Sequence, residues 1–426
     1  MKTTLAIFGI TGDLSVRKLL PALEQIIGTG NFDDLAIVGI SRRDLDVSEL
    51  LQKSLGNDQL ASRITSVSMD VNKGDDYMRL RETIGLSDDD QLLIYLSVPP
   101  AATADIVEYL GQAGLNTPNV KLLLEKPFGI DLPSAQNMID HVGNHYDESQ
   151  VYRIDHYLAK EMTQNIVAFR GGNALFDYVW DNKAIEKIEV IALEKIGIEG
   201  RADFYEPTGA LRDVLQGHLM QLLAITLMDV PHGFDWAGVS LLREEALDAI
   251  EPAQPERAVR AQYRSYRDEV ANDNSMTETF ASVTLESTSE RWRGVPLVLT
   301  TGKAMDSKST EVRVHFKKSH EAQTNCLIFR IQPHEGVEID VFTKKPGYDR
   351  DFETQRLSFM YPEHTVLPDA YEQVIVDAIR SHKSLFASSG EVLRSWQILQ
   401  PVQIAWAESD ELRQYDSGVD LPTLLA

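Results

Sequence analysis

The sequence predicts an α/β plus α+β protein with two domains. We expect a Rossmann-type doubly wound parallel sheet over residues 1–153, followed by an α+β domain on a large, mainly antiparallel sheet over residues 154–426. Over the first 150 residues, short apolar runs alternate with helix-length segments. Beyond about residue 175, apolar runs follow one another with few helices between them, which indicates antiparallel pairing.

Six apolar runs are the candidate strands of the first domain. They are "TLAIFGI" (4–10), "LAIVGI" (35–40), "ITSVSMD" (64–70), "LLIYLSV" (92–98), "VKLLLEK" (120–126) and "QVYRI" (150–154). Runs that are apolar on both faces are typical of parallel strands covered by helices on both sides.

The second domain is predicted from five further strands and one apolar helix. The strands are "KIEVIALEKIG" (187–197), "TFASVTLES" (279–287), "VPLVLTTGK" (295–303), "TEVRVHFKK" (310–318) and "NCLIFRIQP" (325–333). The helix is "GALRDVLQGHLMQLLAITLM" (209–228), between the first and second of these strands. The polar, proline-containing stretch 250–275 is predicted to be a surface excursion.

Composition excludes several classes of partner. The chain has 426 residues, with 41 Lys plus Arg against 65 Asp plus Glu, a net charge of −24. So acidic a protein is not expected to bind nucleic acid or an anionic membrane surface. No apolar run approaches the ~20 residues that span a bilayer. The single cysteine, Cys326, excludes an internal disulfide framework and favours a reducing, cytoplasmic location.

A glycine-containing turn follows the first predicted strand. In "FGITGDLSVRKLLPAL" (8–23), the small residues Gly9, Gly12 and Ser15 have a G-x-x-G-x-x-S spacing rather than a strict G-x-G-x-x-G. Gly9 would permit the tight turn, Gly12 would let backbone amides approach a pyrophosphate, and Ser15 would let the helix pack closely on the sheet. A dinucleotide site is predicted here, and a simple strand-to-helix turn is the alternative.

The end of the second strand predicts the type of dinucleotide. An acidic residue there would bind the ribose hydroxyls of NAD, and an arginine would bind the 2′-phosphate of NADP. The sequence "VGISRRD" places Arg42 and Arg43 after Ser41, with no acid before Asp44. Guanidinium groups bind phosphate in a bidentate manner, so NADP is favoured.

The stretch "RIDHYLAKEM" (153–162) crowds polar side chains where a strand should lead into a helix. One interpretation is capping, in which Asp155 accepts backbone N–H groups and the other side chains are solvated. The other is an anion site. Lys160 is four residues after His156 and three after Tyr157, and would share a helical face with them near a helix N-terminus.

Two further residues stand out, each with an ordinary alternative. Lys126 in "EKPFG" (125–129) follows the fifth strand at the edge where open α/β sheets bind ligands, although it could be a surface lysine at a turn. His218 lies in the apolar predicted helix, where a core histidine is the usual explanation. In an α-helix Asp213 would be about 140° from His218, so the two would flank a ligand and not pair.

Together these motifs resemble the glucose-6-phosphate dehydrogenase family. The resemblance is carried, in chain order, by "GITGDL" (9–14), "EKPFG" (125–129), "RIDHYLAKE" (153–161), "LRDVLQGH" (211–218), "ERWRGVP" (290–296), "GKA" (302–304) and "TKKPG" (343–347). The family usually has asparagine where this chain has Gly217, before the histidine, which leaves sugar selectivity open.

The resemblance implies roles for individual residues. His218 would be the general base and Asp155 the carboxylate that orients it. The residues implied to bind substrate are His156, Tyr157 and Lys160 at the phosphate, Lys126 between sugar and nicotinamide, Glu194, Asp213 and Lys303 at the sugar, and Lys308 and Gln332 as further contacts. The implied cofactor-binding residues are Gly9, Thr11, Gly12, Asp13, Leu14, Arg42, Asp70, Val71, Pro99 and Lys126.

The implied reaction is oxidation of D-glucose 6-phosphate at C1 by NADP, giving 6-phospho-D-glucono-1,5-lactone at the entry to the oxidative pentose phosphate pathway. No metal is expected. A homodimer or homotetramer formed through the antiparallel sheet is implied. A dehydrogenase of another sugar or sugar phosphate, or a catalytically silent NADP-binding regulatory homologue, are the alternatives.

Some members of the family bind a second, structural NADP on the antiparallel sheet. Arg313 and Arg330 occupy matching positions, but Glu338 and Asp340 in "GVEIDVFTKKPG" (336–347) stand where a phosphate pocket would want a tyrosine and a lysine. Carboxylates close to a phosphate would oppose binding. We therefore expect one NADP per subunit.

Overall fold

The structure, a computed structural model, describes residues 2–44, 46–54, 58–231, 233, 235–318, 324–362 and 364–425. Tertiary contacts divide the chain into two compact units. The first contains Met1–Gly129, Pro133–Ala159 and Pro368–Ser389, and the second contains Ile130–Leu132, Lys160–Leu367 and Gly390–Ala426. The predicted domain boundary at residue 153 stays a prediction. Within the described residues, no helix is both long and apolar enough to cross a membrane.

The described part of the chain contains the following strands and helices. The strands are β1 (Thr3–Phe8), β2 (Leu35–Ser41), β3 (Ile64–Ser68), β4 (Gln91–Leu96), β5 (Val120–Leu124), β6 (Val151–Ile154), β7 (Ile185–Leu193), β8 (Ala258–Tyr263), β9 (Phe280–Leu285), β10 (Leu297–Gly302), β11 (Ser309–Phe316), β12 (Cys326–Gln332), β13 (Gly336–Lys344), β14 (Phe352–Met360), β15 (Phe386–Ala387) and β16 (Arg413–Tyr415). The α-helices are α1 (Leu20–Gly28), α2 (Val47–Ser54), α3 (Asp58–Ala61), α4 (Gly74–Ile84), α5 (Pro100–Gln112), α6 (Leu132–Gly143), α7 (Glu161–Gly172), α8 (Ala174–Asp177), α9 (Ala202–Tyr205), α10 (Met220–Leu227), α11 (Val239–Asp248), α12 (Tyr266–Val270), α13 (Ala370–Arg380), α14 (Ser389–Ala407) and α15 (Leu421–Leu425). Two segments, Ser15–Leu19 and Leu211–Leu219, are π-helical.

The first unit confirms the predicted Rossmann-type sheet. Its strand order is β15-β6-β5-β4-β1-β2-β3, and β1 to β6 pair in parallel. Strands β1, β4, β5 and β6 are buried along their whole length, as their apolar sequences predict. The chain reverses its direction of travel across the sheet between β1 and β4, and this switch point is where such sheets bind ligands.

A late segment of the chain completes the first unit, and the sequence did not predict it. The two-residue strand β15 pairs antiparallel to β6, with Phe386 opposite Ile154. The buried Lys121 side chain on β5 donates hydrogen bonds to the carbonyls of Ala378 (2.6 Å) and Ile379 (3.2 Å) near the end of α13. A cation bonded to the last carbonyls of a helix stabilises its C-terminus. Burial lowers the pKa of Lys121 to about 8.

The second unit contains the predicted large sheet. Its order is β14-β13-β12-β11-β7-β10-β9-β8-β16. Most neighbours are antiparallel, but β7 pairs in parallel with β10, and β8 with β16. The carboxyl ends of β7 and β10 therefore lie at the same edge of the sheet.

The prediction of a surface excursion over 250–275 is wrong, because β8 lies inside it and the last four residues of this strand are buried. Its polar side chains are accommodated by hydrogen bonds. Arg260 donates to the carbonyls of Ser409 (2.6 Å) and Glu411 (3.0 Å), and Gln262 donates to the carbonyl of Thr277 (2.9 Å). A buried polar strand is stable when each polar group has a partner, and the sequence pattern does not show such partners.

The predicted helix over 209–228 forms, but its first half is π-helical. Its wide turns run over Leu211–Leu219, and the amide of Met220 donates to the carbonyl of Leu215, an i→i+5 bond, before α10 begins. In a π-helix, residues five apart lie about one turn from each other. The predicted angle of 140° between Asp213 and His218 is therefore wrong, and both residues lie on the same side of the helix.

Candidate active site

In the first unit, all the predicted site residues follow the carboxyl ends of parallel strands, at one edge of the sheet. Residues 9–14 follow β1, Arg42 follows β2, Asp70 and Val71 follow β3, Pro99 follows β4, Lys126 follows β5, and residues 155–157 follow β6. This is the edge at which open α/β sheets bind their ligands.

The glycine turn after β1 has a geometry that requires glycine. Gly9 has a φ of +78°, and a β-carbon there would overlap the carbonyl oxygen of Ser97. The Gly9 carbonyl accepts hydrogen bonds from the Gly12 amide (2.9 Å) and the buried Ser15 hydroxyl (2.9 Å). Thr11 and Asp13 are exposed beside this turn, and Leu14 is half-buried. Gly9 thus permits the tight turn between strand and helix that is typical of a dinucleotide site.

The two arginines after β2 are exposed, next to the glycine turn in the sheet. Ile40 pairs with Phe8, so Arg42 and Arg43 follow one strand while residues 9–14 follow its neighbour. The Ser41 hydroxyl donates to the carbonyl of Arg43 and fixes the backbone of this turn. After β3, the Tyr77 hydroxyl donates to the carbonyl of Val71 (2.7 Å).

The 155–160 stretch is a turn and not the start of a helix. The Asp155 carboxylate accepts the Tyr157 amide (2.9 Å), and the Asp155 carbonyl accepts the Leu158 amide (3.0 Å). Lys160, rather than Asp155, is at the N-cap position of α7. His156, Tyr157 and Lys160 therefore do not share a helical face, and that prediction is wrong. Helix capping by Asp155 is also wrong, because the hydrogen bonds of Asp155 form the turn.

Asp155 is buried, and the ring of His156 contacts two aromatic rings. Asp155 is 2% exposed. The His156 ring centroid is 5.0 Å from that of Tyr157 and 6.3 Å from that of Tyr371, which is nearly parallel to it. These contacts restrict the orientation of the imidazole.

Glu125, next to Lys126, was missed by sequence reasoning. Its carboxyl group accepts a hydrogen bond from the buried Tyr95 hydroxyl. Burial raises the pKa of Glu125 to about 7, with a further contribution from the charge of Asp155 and an opposing one from Lys126. A carboxyl group that titrates near neutral pH therefore lies beside two predicted site residues.

In the second unit, the parallel pair β7–β10 brings Glu194 and Lys303 together. Leu193 pairs with Gly302, so the next residue of each strand emerges at the same edge, and the two side chains form an ion pair. Lys303 is 3% exposed. Its backbone amide donates to the carbonyl of Thr279 (2.9 Å).

Lys308 and Gln332 lie at this same edge. β11 begins one residue after Lys308 and runs antiparallel to β7, and β12 ends at Gln332, antiparallel to β11. The Gln332 side-chain amide donates to the Thr310 hydroxyl (3.1 Å), and Lys308 is exposed. The structure thus brings Glu194, Lys303, Lys308 and Gln332 to one edge of the second sheet.

Lys160 lies near the end of β12. Burial raises the pKa of Glu335, in the turn after β12, and the charge of Lys160 opposes that rise. The amide of Tyr361 donates to the Glu335 carbonyl (3.1 Å), and the Tyr361 hydroxyl accepts from Asn165 of α7 (2.6 Å). Helix α7 is thereby tied to the turn after β12.

Tyr205, near Asp213, is a second residue that the sequence did not single out. His218 is 7% exposed and Tyr205 is 1% exposed. Burial, together with the nearby charges of Asp213 and Glu278, raises the pKa of Tyr205 well above its ordinary value. The sequence shows only that Tyr205 lies eight residues before Asp213. It does not show the contacts of Tyr205, because these depend on tertiary structure.

On the outer strands of the second sheet, arginines and carboxylates neutralise one another. Arg330 donates to Glu311 (3.0 Å) and to Glu338 (2.9 Å). Arg356 on β14 donates to Glu338 (3.0 Å) and to Asp340 (2.7 Å). Arg313 also pairs with Glu311. Arg313 and Arg330, at the positions that match a second NADP site, therefore have carboxylate partners within the sheet.

Family models match nearly the whole chain. The model of the glucose-6-phosphate dehydrogenase NAD-binding domain matches residues 6–165, and that of the C-terminal domain matches residues 167–425. The glucose-6-phosphate 1-dehydrogenase of Mycolicibacterium smegmatis is 34% identical, over 98% of this chain and 93% of its own. That of Chlamydia muridarum is 33% identical, over 95% of this chain and 90% of its own.

Two solved structures of glucose-6-phosphate dehydrogenases also match nearly the whole chain. A glucose-6-phosphate dehydrogenase in complex with its substrate glucose-6-phosphate has a TM-score of 0.92 and 29% identity, covering 99% of this chain and 95% of that one. The glucose-6-phosphate 1-dehydrogenase of Mycobacterium avium has a TM-score of 0.87 and 30% identity, covering 98% of this chain and 94% of that one.

The raised pKa of Glu125 predicts a pH-dependent stability. Between about pH 4.5 and pH 7 the native carboxyl keeps a proton that the unfolded chain has lost, so the free energy of unfolding falls as pH rises through this window. This fall in the free energy of unfolding is at most about 3 kcal/mol, and Glu125→Gln removes it. The difference in melting temperature, variant minus wild type, should therefore increase between pH 5 and pH 8.

The matched control is Glu82→Gln, at an exposed position of the same unit. It should not reproduce the rise. A difference between Glu125→Gln and wild type that stays constant with pH would contradict the assignment.

Proposed function

The chain belongs to the glucose-6-phosphate dehydrogenase family, and we propose that it oxidises D-glucose 6-phosphate at C1 with NADP as the hydride acceptor. The observation that carries the proposal is the gathering of Glu194, Lys303, Lys308 and Gln332 at one edge of the second sheet. The family resemblance implies that these four residues bind the substrate. The product is 6-phospho-D-glucono-1,5-lactone, at the entry to the oxidative pentose phosphate pathway.

His218 is the proposed general base. When bound, the dinucleotide supplies a nicotinamide ring that accepts a hydride from C1 of the sugar. His218 takes the proton of the C1 hydroxyl as the C1–H bond breaks, and the C1–O bond becomes the carbonyl of the lactone. The buried carboxylate of Asp155 orients the imidazole and stabilises its protonated form.

The remaining polar residues bind the sugar phosphate. Glu194 and Asp213 accept hydrogen bonds from sugar hydroxyls, and Lys303 donates a hydrogen bond to a sugar hydroxyl. His156, Tyr157 and Lys160 bind the phosphate, for which a turn followed by the N-terminus of α7 is suited. Lys308 and Gln332 contribute at the same edge, and Lys126 lies between sugar and nicotinamide. Gly217 leaves the choice among related sugars to experiment.

The proposed cofactor is NADP. The glycine turn, with Gly9, Thr11, Gly12, Asp13 and Leu14, is the proposed pyrophosphate site, because Gly9 permits the tight turn and Gly12 has no side chain to keep the backbone amides from a phosphate. The exposed Arg42 binds the 2′-phosphate, with Arg43 beside it. The other contacts assigned by resemblance are Asp70, Val71, Pro99 and Lys126.

A single NADP per chain is proposed. The arginines at the positions of a second site are engaged by Glu311 and Glu338, so a phosphate would have to displace carboxylates from both.

The chain is also proposed to form a homodimer or homotetramer through this sheet, since Leu357 and Phe359 on its edge strand β14 are 59% and 58% exposed. A cytoplasmic location fits the single, buried Cys326.

The direct test is an assay of the purified chain for formation of reduced dinucleotide. Glucose 6-phosphate is compared with unphosphorylated glucose and with other sugar phosphates, and NADP with NAD. We expect the highest kcat/KM with glucose 6-phosphate and NADP. A higher value with another sugar would identify a different dehydrogenase, and no turnover with any of them would favour a silent homologue.

His218→Asn should lower kcat by about 10²–10⁴ while the dissociation constant of glucose 6-phosphate changes little, because the base acts on the proton and not on binding. A steady-state assay measures kcat, and titration calorimetry measures the dissociation constant of glucose 6-phosphate. His364→Asn, at an exposed histidine of the same unit, is the control. Turnover close to wild type in His218→Asn would refute the assignment.

Lys160→Ala should raise KM for glucose 6-phosphate by about 10- to 100-fold and hardly affect KM for unphosphorylated glucose. The reason is that the substrate phosphate alone loses a charge-assisted hydrogen bond, worth about 1.5–3 kcal/mol. Steady-state kinetics with both sugars measure the difference, with the exposed Lys183→Ala as the control. Equal losses for the two sugars would place the phosphate site elsewhere.

Replacing both Arg42 and Arg43 by alanine should weaken NADP binding and leave NAD use nearly unchanged, because the ribose of NAD carries no phosphate for a guanidinium to bind. Titration calorimetry should find one NADP per wild-type chain and no strong site in the double variant. Arg380→Ala, at an exposed arginine of the same unit, is the control. Two strong sites in wild type, one of which survives in the double variant, would show that a second NADP is bound, and an unchanged preference for NADP over NAD in the double variant would refute the role of the arginines.

A further inference from the structure

Lys303 is a buried cation whose anionic partner is only partly buried. Its side chain is 4% exposed, whereas that of Glu194, the carboxylate paired with it, is 39% exposed. Burying an ammonium group is costly, and a half-exposed carboxylate compensates for it incompletely. The surroundings of Lys303 must therefore contribute to its stabilisation and its position.

The ring of Tyr205 provides that contribution. The Lys303 ammonium nitrogen lies 5.2 Å from the centroid of this ring, within the distance of a cation–π interaction. Tyr205 is 1% exposed, so water does not screen the attraction. The ring is itself held in place, since that of Tyr266 packs against it edge-on with centroids 6.0 Å apart.

The backbone carbonyl of Lys303 is fixed by a second buried tyrosine. The Tyr415 hydroxyl donates to the Lys303 carbonyl (2.6 Å), and the Tyr415 ring lies 6.3 Å from that of Tyr263, which packs edge-on against Tyr266. Four buried tyrosines thus form one continuous series of ring contacts, in which Tyr205 contacts the ammonium group of Lys303 and Tyr415 its carbonyl.

The hydroxyl of Tyr205 has a different status from its ring. The oxygen is buried and has no hydrogen-bond partner among the residues that the structure describes. A buried hydroxyl without a partner destabilises the folded chain. The contribution of Tyr205 is therefore carried by its aromatic face.

We propose that Tyr205 is a positioning residue, whose ring holds the Lys303 ammonium group in place for the sugar. This inference rests on the proposed function, because it takes from it the role of Lys303 at the substrate. It adds a residue whose effect is exerted through Lys303 and does not require its own contact with substrate.

The test is a set of replacements at position 205, assayed with glucose 6-phosphate and NADP. Tyr205→Phe keeps the ring and should keep kcat/KM for glucose 6-phosphate within about twofold of wild type. Tyr205→Leu removes the ring and should lower it by about tenfold, with KM for NADP unchanged. A Tyr205→Phe variant as impaired as Tyr205→Leu would overturn the proposal, because the hydroxyl would then be the active group.

A double-mutant cycle separates positioning from a general loss of stability. In a Lys303→Met background, Tyr205→Leu should cause no further loss in kcat/KM, since the cation that it positions is absent. Phe329→Leu is the control for removal of a buried ring, as Phe329 is fully buried on β12, three positions from β10 in the sheet order. Independent, additive losses from Tyr205→Leu and Lys303→Met would refute the proposal.

If Tyr205→Leu does not fold, 3,4,5-trifluorophenylalanine at position 205 replaces it. This ring keeps its shape but has a weaker negative face, so a loss of kcat/KM relative to Tyr205→Phe is expected, and no loss would overturn the proposal. The same cycle is run on the free energy of unfolding. A wild type that fails to oxidise glucose 6-phosphate would refute the proposed function, while coupling between residues 205 and 303 in unfolding would still test the ring–cation contact.

Discussion

The parallel pairing of β7 with β10, within a sheet that is otherwise mainly antiparallel, is the constraint on which the second unit depends. Because Leu193 pairs with Gly302, Glu194 and Lys303 leave their strands side by side. An antiparallel pairing would put these two residues at opposite edges of the sheet. β11 and β12 then return antiparallel, which brings Lys308 and Gln332 to the same edge. One choice of strand direction thus determines where the polar residues gather.

The strands of the first unit could be predicted because their sequences are apolar on both faces. The six predicted runs agree with β1 to β6 to within two residues at each end. Strand β8 could not be predicted in this way, since Arg260 and Gln262 are buried through hydrogen bonds to distant carbonyls. The pairing of Phe386 with Ile154 joins residues far apart in the chain, and a two-residue strand has no pattern of its own.

The motifs predict which residues belong to the candidate site, but they do not predict how these residues are arranged. The 155–160 stretch reads as a helix start, yet hydrogen bonds to Asp155 make it a turn. Glu125 and Tyr205 were missed because what distinguishes them is burial and a neighbouring charge. Both depend on which side chains the fold brings close, and an isolated glutamate or tyrosine in a sequence carries no such information.

The π-helical segment Leu211–Leu219 has a consequence for how this region can vary in length. An i→i+5 turn holds one residue more than an α-helical turn, so deleting one residue between Asp213 and His218 would allow α-helical bonding to return. Residues five apart across a π-helical turn and residues four apart across an α-helical turn both lie about one turn from each other, so the flanking side chains would keep their directions. A relative with one residue fewer between the two side chains can therefore keep the same arrangement on an ordinary α-helix. A change of one residue in the length of this segment is accommodated by the type of helical bonding and not by a rotation of the helix on either side.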